Sequence, residues 1–286
     1  MGARGSESER EVAELWRGRV SDFDTVLARL REDGIDTSNL SVDDVNKVDL
    51  MHMGGADSTD ELTERAGITG GMEVLDAGCG IGGTSRRIAY RTGAKVTGLD
   101  LTPRAVETGN RLSEHLGIAD RVESVHGSVT DMPFDDDRFD VVIVQHCAMQ
   151  VEDKDRLFSE VARVLRPGGL LAMHDWFTGR ATPLLYPLPW ADGPETSFLE
   201  PLDDAIARLR AHGFTPEPFI DQTEKGVGWL TRTRTAIDRH LAEGGELTQT
   251  RQRNIGISQT MIPNLSEGGL VLGFLFARSA DQSRDS

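Results

Sequence analysis

The run Val74-Leu75-Asp76-Ala77-Gly78-Cys79-Gly80-Ile81-Gly82-Gly83 constrains the fold more than any other feature of the chain. An apolar strand ends on an acid and passes straight into a loop with four glycines in six positions. Glycine takes positive φ without strain and puts no side chain between backbone and ligand, so such a loop can close on a bound molecule. A second apolar strand, Lys95 to Leu99, ends on Asp100, twenty residues beyond Gly80. An acid there is placed to take the two hydroxyls of a ribose. The pair predicts the start of a parallel α/β sheet with an adenosine-containing cofactor at its edge. A plainer reading stays open, in which the loop only turns a strand into a helix.

Strands and helices then alternate from Met72 to about Phe177. The predicted strands are Glu73–Asp76, Lys95–Asp100, Arg121–His126, Phe139–Gln145 and Leu170–His174, with helices at Thr84–Arg91, Ala105–Leu116 and Lys154–Leu165. Arg166-Pro167-Gly168-Gly169 reads as the turn into the fifth strand. This alternation means a doubly wound, mostly parallel sheet. A helix Leu202–His212, a sixth strand Thr215–Asp221 and a last apolar run Leu270–Ala277 follow.

Upstream, residues Met1 to about Glu9 read as disordered, and Val12, Leu15, Trp16, Val20, Phe23, Val26, Leu27 and Leu30 recur at helical spacing. Asn46 to Gly55 breaks the regularity, and Ser58 with Glu61 reads as a capping box opening a helix to Ala66. The organisation expected is an N-terminal helical cap at 1–66, a cofactor-binding core at 67–222, a helical lid insertion at 223–266 and a final core strand and tail at 267–286. A proline-rich insert, Thr178 to Pro201, supplies further lid material.

Composition narrows the partners. In 286 residues, 31 Lys+Arg stand against 47 Asp+Glu, a formal net charge of -16. Nucleic acid and anionic membrane surfaces are poor partners on that balance, so neither is expected. Lysine is confined to Lys47, Lys95, Lys154 and Lys225, which suits either a salt-rich cytoplasm or a GC-rich genome. Cys79 and Cys147 suggest packing rather than a disulfide or a metal site. No apolar run approaches the ~20 residues that cross a bilayer, and no signal peptide is visible, so a cytoplasmic protein is expected. Met1 to Ser6 meets a loose N-myristoylation pattern that glycine-rich starts match by accident. Oligomeric state is not readable.

Gly78-x-Gly80-x-x-Gly83 formally satisfies the dinucleotide fingerprint, a weak signal alone. Asp76 argues against a pyrophosphate, which needs bare N–H groups and the positive end of a helix. S-adenosylmethionine, with a ribose, an ammonium, a sulfonium and no phosphate, suits both Asp76 and Asp100. Val74 to Gly82 here resembles the V-L-D-x-G-x-G-x-G hallmark of class I S-adenosylmethionine-dependent methyltransferases. The resemblance implies a seven-stranded Rossmann-like sheet, with Gly269 to Phe276 as its antiparallel seventh strand. It also implies that Asp76, Gly78, Gly80, Gly82, Asp100, Leu101, Ser128, Val129 and Gln145 surround the cofactor. Leu101 would pack on the adenine, Ser128-Val129 stand near its amine in place of the usual acidic or polar residue, and Gln145 approach the methionine part.

Ligands of open parallel sheets sit beyond the carboxyl ends of the strands, where this chain places Asp76, Asp100, Ser128, Gln145-His146 and His174-Asp175. His146 is the candidate base, with substrate positioning or a satisfied buried histidine as its alternatives. His52, Tyr186, Trp190 and Arg232 are candidate substrate residues, and Arg180 and Arg234 could also grip a carboxylate. Met51-His52-Met53-Gly54-Gly55, Gln145 to Met149 with Asp153-Lys154, and Tyr186 to Ala191 resemble the small-molecule enzymes of ubiquinone biosynthesis and the sarcosine/dimethylglycine type. The Asp/Asn-Pro-Pro-aromatic signature of nucleic-acid amino-methyltransferases is absent after strand four. The expected activity is methyl transfer to a small-molecule N or O nucleophile, with a glycine-derived amine as one acceptor. The alternatives are O- or C-methylation of a secondary metabolite and a non-catalytic protein that binds the cofactor.

Overall fold

The computed structural model describes residues 6–50, 52–180 and 183–280. Its strands are β1 (Glu73–Ala77), β2 (Lys95–Asp100), β3 (Val122–His126), β4 (Phe139–Gln145), β5 (Leu165–Thr178), β6 (Phe214–Pro216), β7 (Ile220–Asp221) and β8 (Leu270–Ser279). They form one sheet in the order β3-β2-β1-β4-β5-β8-β6, with β7 beside β8. The first five run parallel to one another, and β8 runs antiparallel to β5, β6 and β7. The chain winds outward from β1 in both directions, so a crevice opens where β1 and β4 part.

Helices cover both faces. Those of the main unit are α5 (Gly83–Thr92), α6 (Pro103–His115), α7 (Lys154–Val164) and α8 (Leu202–Ala211). Val141 and Ile143 of β4 pack with Ile88 of α5, whereas Val142 and Val144 pack with Leu157 and Val161 of α7. A strand buried on both faces reads as a continuous apolar run, as Val141 to Val144 does.

Ahead of the sheet lie α1 (Glu7–Arg17), α2 (Phe23–Glu32), α3 (Val42–Asp49) and α4 (Gly55–Arg65). Val42 of α3 and Leu62 of α4 enter the same apolar cluster as Ile88 and Val141, so the boundary expected at residue 66 divides no core. The late insertion is a helical pair, α9 (Thr223–Ala242) and α10 (Gln249–Ser266). It packs with Trp176, Leu188 and Trp190 in a separate apolar cluster over the end of the sheet.

Several local expectations need correction. Residues 6–9 are ordered, because Ser6 and Glu9 form a reciprocal capping box that opens α1. Ser58 opens no helix. α4 already begins at Gly55 behind a left-handed Gly54, and Ser58 Oγ donates to the Met53 and Gly55 carbonyls from within. Asn46 to Asp49, expected as irregular, is the second half of α3. The sixth strand splits into β6 and β7 around Pro216 and Pro218, which have no N–H for the ladder. Arg166 to Gly169 is a bulge rather than a strand boundary, since Phe139 pairs with Leu165 and Val141 with Leu170. β5 also runs past His174 to Thr178, paired throughout with β8, and this extension carries Trp176 to the crevice. Of the proposed gate, Met51 lies outside the described residues, as do 1–5, 181–182 and 281–286.

Candidate active site

The glycine loop is shaped by its backbone. Gly78, Gly80 and Gly82 have φ of 83°, 55° and 80°, in the left-handed region that other residues enter at a cost. Gly78 N and Cys79 N both donate to the Leu99 carbonyl, at 2.8 and 3.0 Å, folding the loop toward the end of β2. A Cβ on Gly78 would overlap the Cys147 side chain, so the turn after β4 presses directly on the loop.

That fold latches Asp100. One carboxylate oxygen accepts from Gly80 N and the other from Thr102 N, each at 2.8 Å. Burial raises its pKa, opposed by these two bonds. Asp76 is 2 % exposed and accepts from Ser85 Oγ at 2.6 Å. Burial pushes its pKa up to about 6, with the charge of Asp100 adding to the effect. Arg86 lies against the same loop but is committed to Asp49 at 2.7 Å and to the Ile81 and Gly109 carbonyls. Two carboxylates with no free cation beside them among the described residues repel a pyrophosphate and suit a ligand that carries positive charge and a ribose.

Gly78, Gly80, Asp100, Leu101, Ser128 and Val129 all keep partial exposure at the strand ends and outline the crevice, whereas Gly82 is buried. Sequence reasoning left the Ser128 position without an acid. The structure brings one from the cap. Ser128 Oγ and Thr130 Oγ1 both donate to Glu9 Oε1, the latter at 2.7 Å. The other Glu9 oxygen accepts from Ser6 N at 3.0 Å. The spacing Ser6-x-x-Glu9 was the available signal for an ordered, docked α1.

Beyond β4 the site changes character. Gln145 Oε1 accepts from Thr59 Oγ1 at 3.2 Å and Thr84 Oγ1 at 2.9 Å, and its Nε2 lies 3.4 Å from His174 Nδ1. His52 Nε2 sits 3.1 Å from the Thr59 hydroxyl. The rings of His52 and His174 lie 5.8 and 5.0 Å from that of His146. Burial pushes the pKa of His52 down to about 4 and that of His174 to about 3, and His146 falls well below the usual range for the same reason. All three are neutral near pH 7. Among the described residues, no His/Cys/Asp/Glu group has the geometry to hold a metal ion.

His146 has φ 53°, unusual for a residue with a side chain. Its Nδ1 accepts from Trp176 Nε1 at 3.0 Å, while its Nε2 is buried without a partner. Asp175 braces the turn below, accepting from Cys147 N, Ala148 N and Trp176 N, and burial lifts its pKa to about 6. The buried Lys154 ammonium ties the same turn to the insert, donating to the Ala148, Val151 and Phe198 carbonyls.

The other expected substrate residues divide. Tyr186 is half-buried against the lid cluster. Trp190 is 1 % exposed, donates to Ser197 Oγ and stacks on Trp176 at 5.4 Å, so it backs the wall instead of facing a substrate. Arg232 stands exposed on α9 beside Gly228, Arg180 is exposed, and Arg234 pairs with Asp238 at 2.9 Å. None of the three joins the groups around His146. Trp16 of α1 donates to Gln150, which donates to the Trp190 carbonyl, so cap and insert meet over the mouth.

Residues 75–173 match the methyltransferase domain family. Sterol 24-C-methyltransferase ERG6B of Gibberella zeae is 38% identical over 115 residues, 40% of this chain and 30% of that protein. The chain therefore spans only about a third of the length of that curated relative. Geranyl diphosphate C-methyltransferase from Streptomyces coelicolor A3(2), solved with Mg2+, geranyl diphosphate and S-adenosyl-L-homocysteine, superposes with a TM-score of 0.72 at 18% identity. That match covers 97% of this chain and 99% of the other. Phosphoethanolamine N-methyltransferase 2 of Haemonchus contortus, in complex with S-adenosyl-L-methionine, gives 0.71 at 22% identity over 82% of this chain and 54% of that one. No helix among the described residues is long and apolar enough to cross a membrane. The match places residues 75–173 in the methyltransferase domain family, and the sheet around them has the fold of the solved S-adenosylmethionine-binding methyltransferases.

Proposed function

We propose that the protein transfers the methyl group of S-adenosylmethionine to a small, largely apolar acceptor held beneath the lid. The observation that carries the reading is the latched Asp100, bonded to Gly80 N and Thr102 N at the rim of the crevice beside the glycine loop. Bound there, the cofactor would supply an electrophilic methyl on a sulfonium, the S–CH3 electron pair staying on sulfur as the acceptor's pair forms the new bond and the acceptor's proton passing to water. Such a displacement needs chiefly alignment, which the braced turn at Cys147-Ala148 and the lid can supply.

The packing between sheet, cap and lid supports that acceptor class. Met53, Met149, Trp176, Leu188 and Leu230 form one buried apolar cluster there. A glycine-derived amine carries a carboxylate, and the arginines expected to grip it are elsewhere. An oxygen or carbon centre on an apolar skeleton fits better than that amine. The test is to incubate the protein with S-adenosylmethionine and a panel of prenyl alcohols, polyketide-like alcohols, phenols and small amines, following S-adenosylhomocysteine. Turnover confined to the apolar members supports the reading, and turnover confined to sarcosine-like amines contradicts it. Silence across the panel despite micromolar cofactor binding favours a protein that binds the cofactor without transfer.

A further inference from the structure

We infer that His146 meets the methyl acceptor as a hydrogen-bond donor through Nε2–H, its tautomer set by Trp176, and that it removes no proton. This deepens the proposed function and rests on it. An indole has one N–H and no acceptor, so the 3.0 Å contact obliges His146 Nδ1 to offer its lone pair. A neutral imidazole then carries its single proton on Nε2. Turning the ring over would set a C–H against the indole N–H and leave that donor unpaired. Acting as a base through Nε2 requires the proton on Nδ1, where it would face the Trp176 N–H.

Three further observations place this donor at the site. Its Nε2 is buried with no partner among the described residues, a state proteins rarely leave unfilled. The residue is held at a left-handed φ, its backbone N–H donating to the His174 carbonyl at 2.9 Å. Strain of that kind gathers at functional positions. Among the described residues, the groups facing the ring are His52, His174 and Trp176, all uncharged near neutral pH, with no carboxylate against it to draw a proton onto the imidazole. Burial favours the neutral ring, and the indole selects which neutral form it takes.

The ligand that completes the site carries an acceptor oxygen close to the atom receiving the methyl group. Two sources share that chemistry, an oxygen of the methyl acceptor and the carboxylate of the cofactor. We assign the first, because the His146 ring meets the cap histidine His52 and Trp176, which itself stacks on Trp190 of the insert. Trp176 is then a positioning residue.

The experiment is long-range 1H–15N NMR of the 15N-labelled full chain between pH 5.5 and 8.5, alone and with saturating S-adenosylhomocysteine. The expected result is a neutral His146 protonated on Nε2 across the range, with its Nε2–H signal unmoved by S-adenosylhomocysteine while the Gly80 amide shifts. An Nδ1-protonated ring, or a titration near pH 7, overturns the donor role. A large shift of the Nε2–H signal on adding S-adenosylhomocysteine overturns the assignment to the acceptor. Trp176→Phe is expected to give a mixture of tautomers, and a pure Nε2–H form in that variant overturns the positioning role. The wild-type spectrum decides the tautomer even if the variant does not fold. A Gly80 amide that fails to respond contradicts the proposed function and leaves the tautomer result intact.

Discussion

The glycine loop and the histidine chamber lie on either side of Cys147, yet they are built by opposite means. At the loop, backbone does the work: both Asp100 oxygens accept main-chain N–H groups, and three glycines in left-handed conformations set the turn. In the chamber, side chains from distant stretches converge, with His52, Gln145-His146, His174 and Trp176 meeting around one imidazole. The loop is charged and latched by main-chain N–H groups, whereas the chamber is neutral and leaves His146 Nε2 unpartnered. A cofactor site of the first kind can be prebuilt from contiguous sequence. An acceptor site of the second kind exists only once cap, sheet and lid have packed.

The comparison breaks most readily at the loop. Gly78→Ala places a Cβ at positive φ and against Cys147, a combination expected to cost about 2–4 kcal/mol. Chemical denaturation measures it, and a loss below about 1 kcal/mol would mean that the backbone there is not tightly held. Asp100→Asn keeps the shape and removes the charge. S-adenosylhomocysteine affinity is expected to fall about 30- to 100-fold, and unchanged affinity in calorimetry would remove the ribose role.

The chamber is tested by acid. His52 has a folded pKa near 4, below the ordinary value of about 6.5, so the unfolded chain binds more protons between those values. Its contribution to stability is present above pH 6.5 and is lost as pH falls toward 4. Asp76 and Asp175, raised to about 6, act in the opposite sense by favouring the folded state as pH falls through 6. His52→Asn should therefore lose about 2 kcal/mol less than the wild type between pH 7 and 5. Identical pH profiles would show that the chamber is not dry. The smallest effect is expected at Arg232→Ala, where exposure on α9 predicts turnover within about twofold of wild type. A tenfold fall would return a carboxylate grip to the account.

The loop was legible because its requirements fall on consecutive residues: Gly78, Gly80 and Gly82 for positive φ, and Asp100 at the end of the following strand. The alternation of strands and helices was legible for the same local reason. Trp176 was not, because only pairing with β8 carries β5 past His174. Nor was the role of His146, since a tautomer depends on a partner thirty residues away. Glu9 stood in plain view three residues after Ser6, but its reach to Ser128 depends on how α1 docks. Arg232 misled because basic composition in a helix says nothing about which face meets the site.

Calorimetric titration of the intact protein with S-adenosylmethionine beside NAD tests the central claim most directly. Asp76 and Asp100 flanking a glycine loop, with no free cation beside it among the described residues, predict micromolar binding of S-adenosylmethionine and no measurable heat with NAD. Tight binding of NAD, with S-adenosylmethionine silent, would contradict the account.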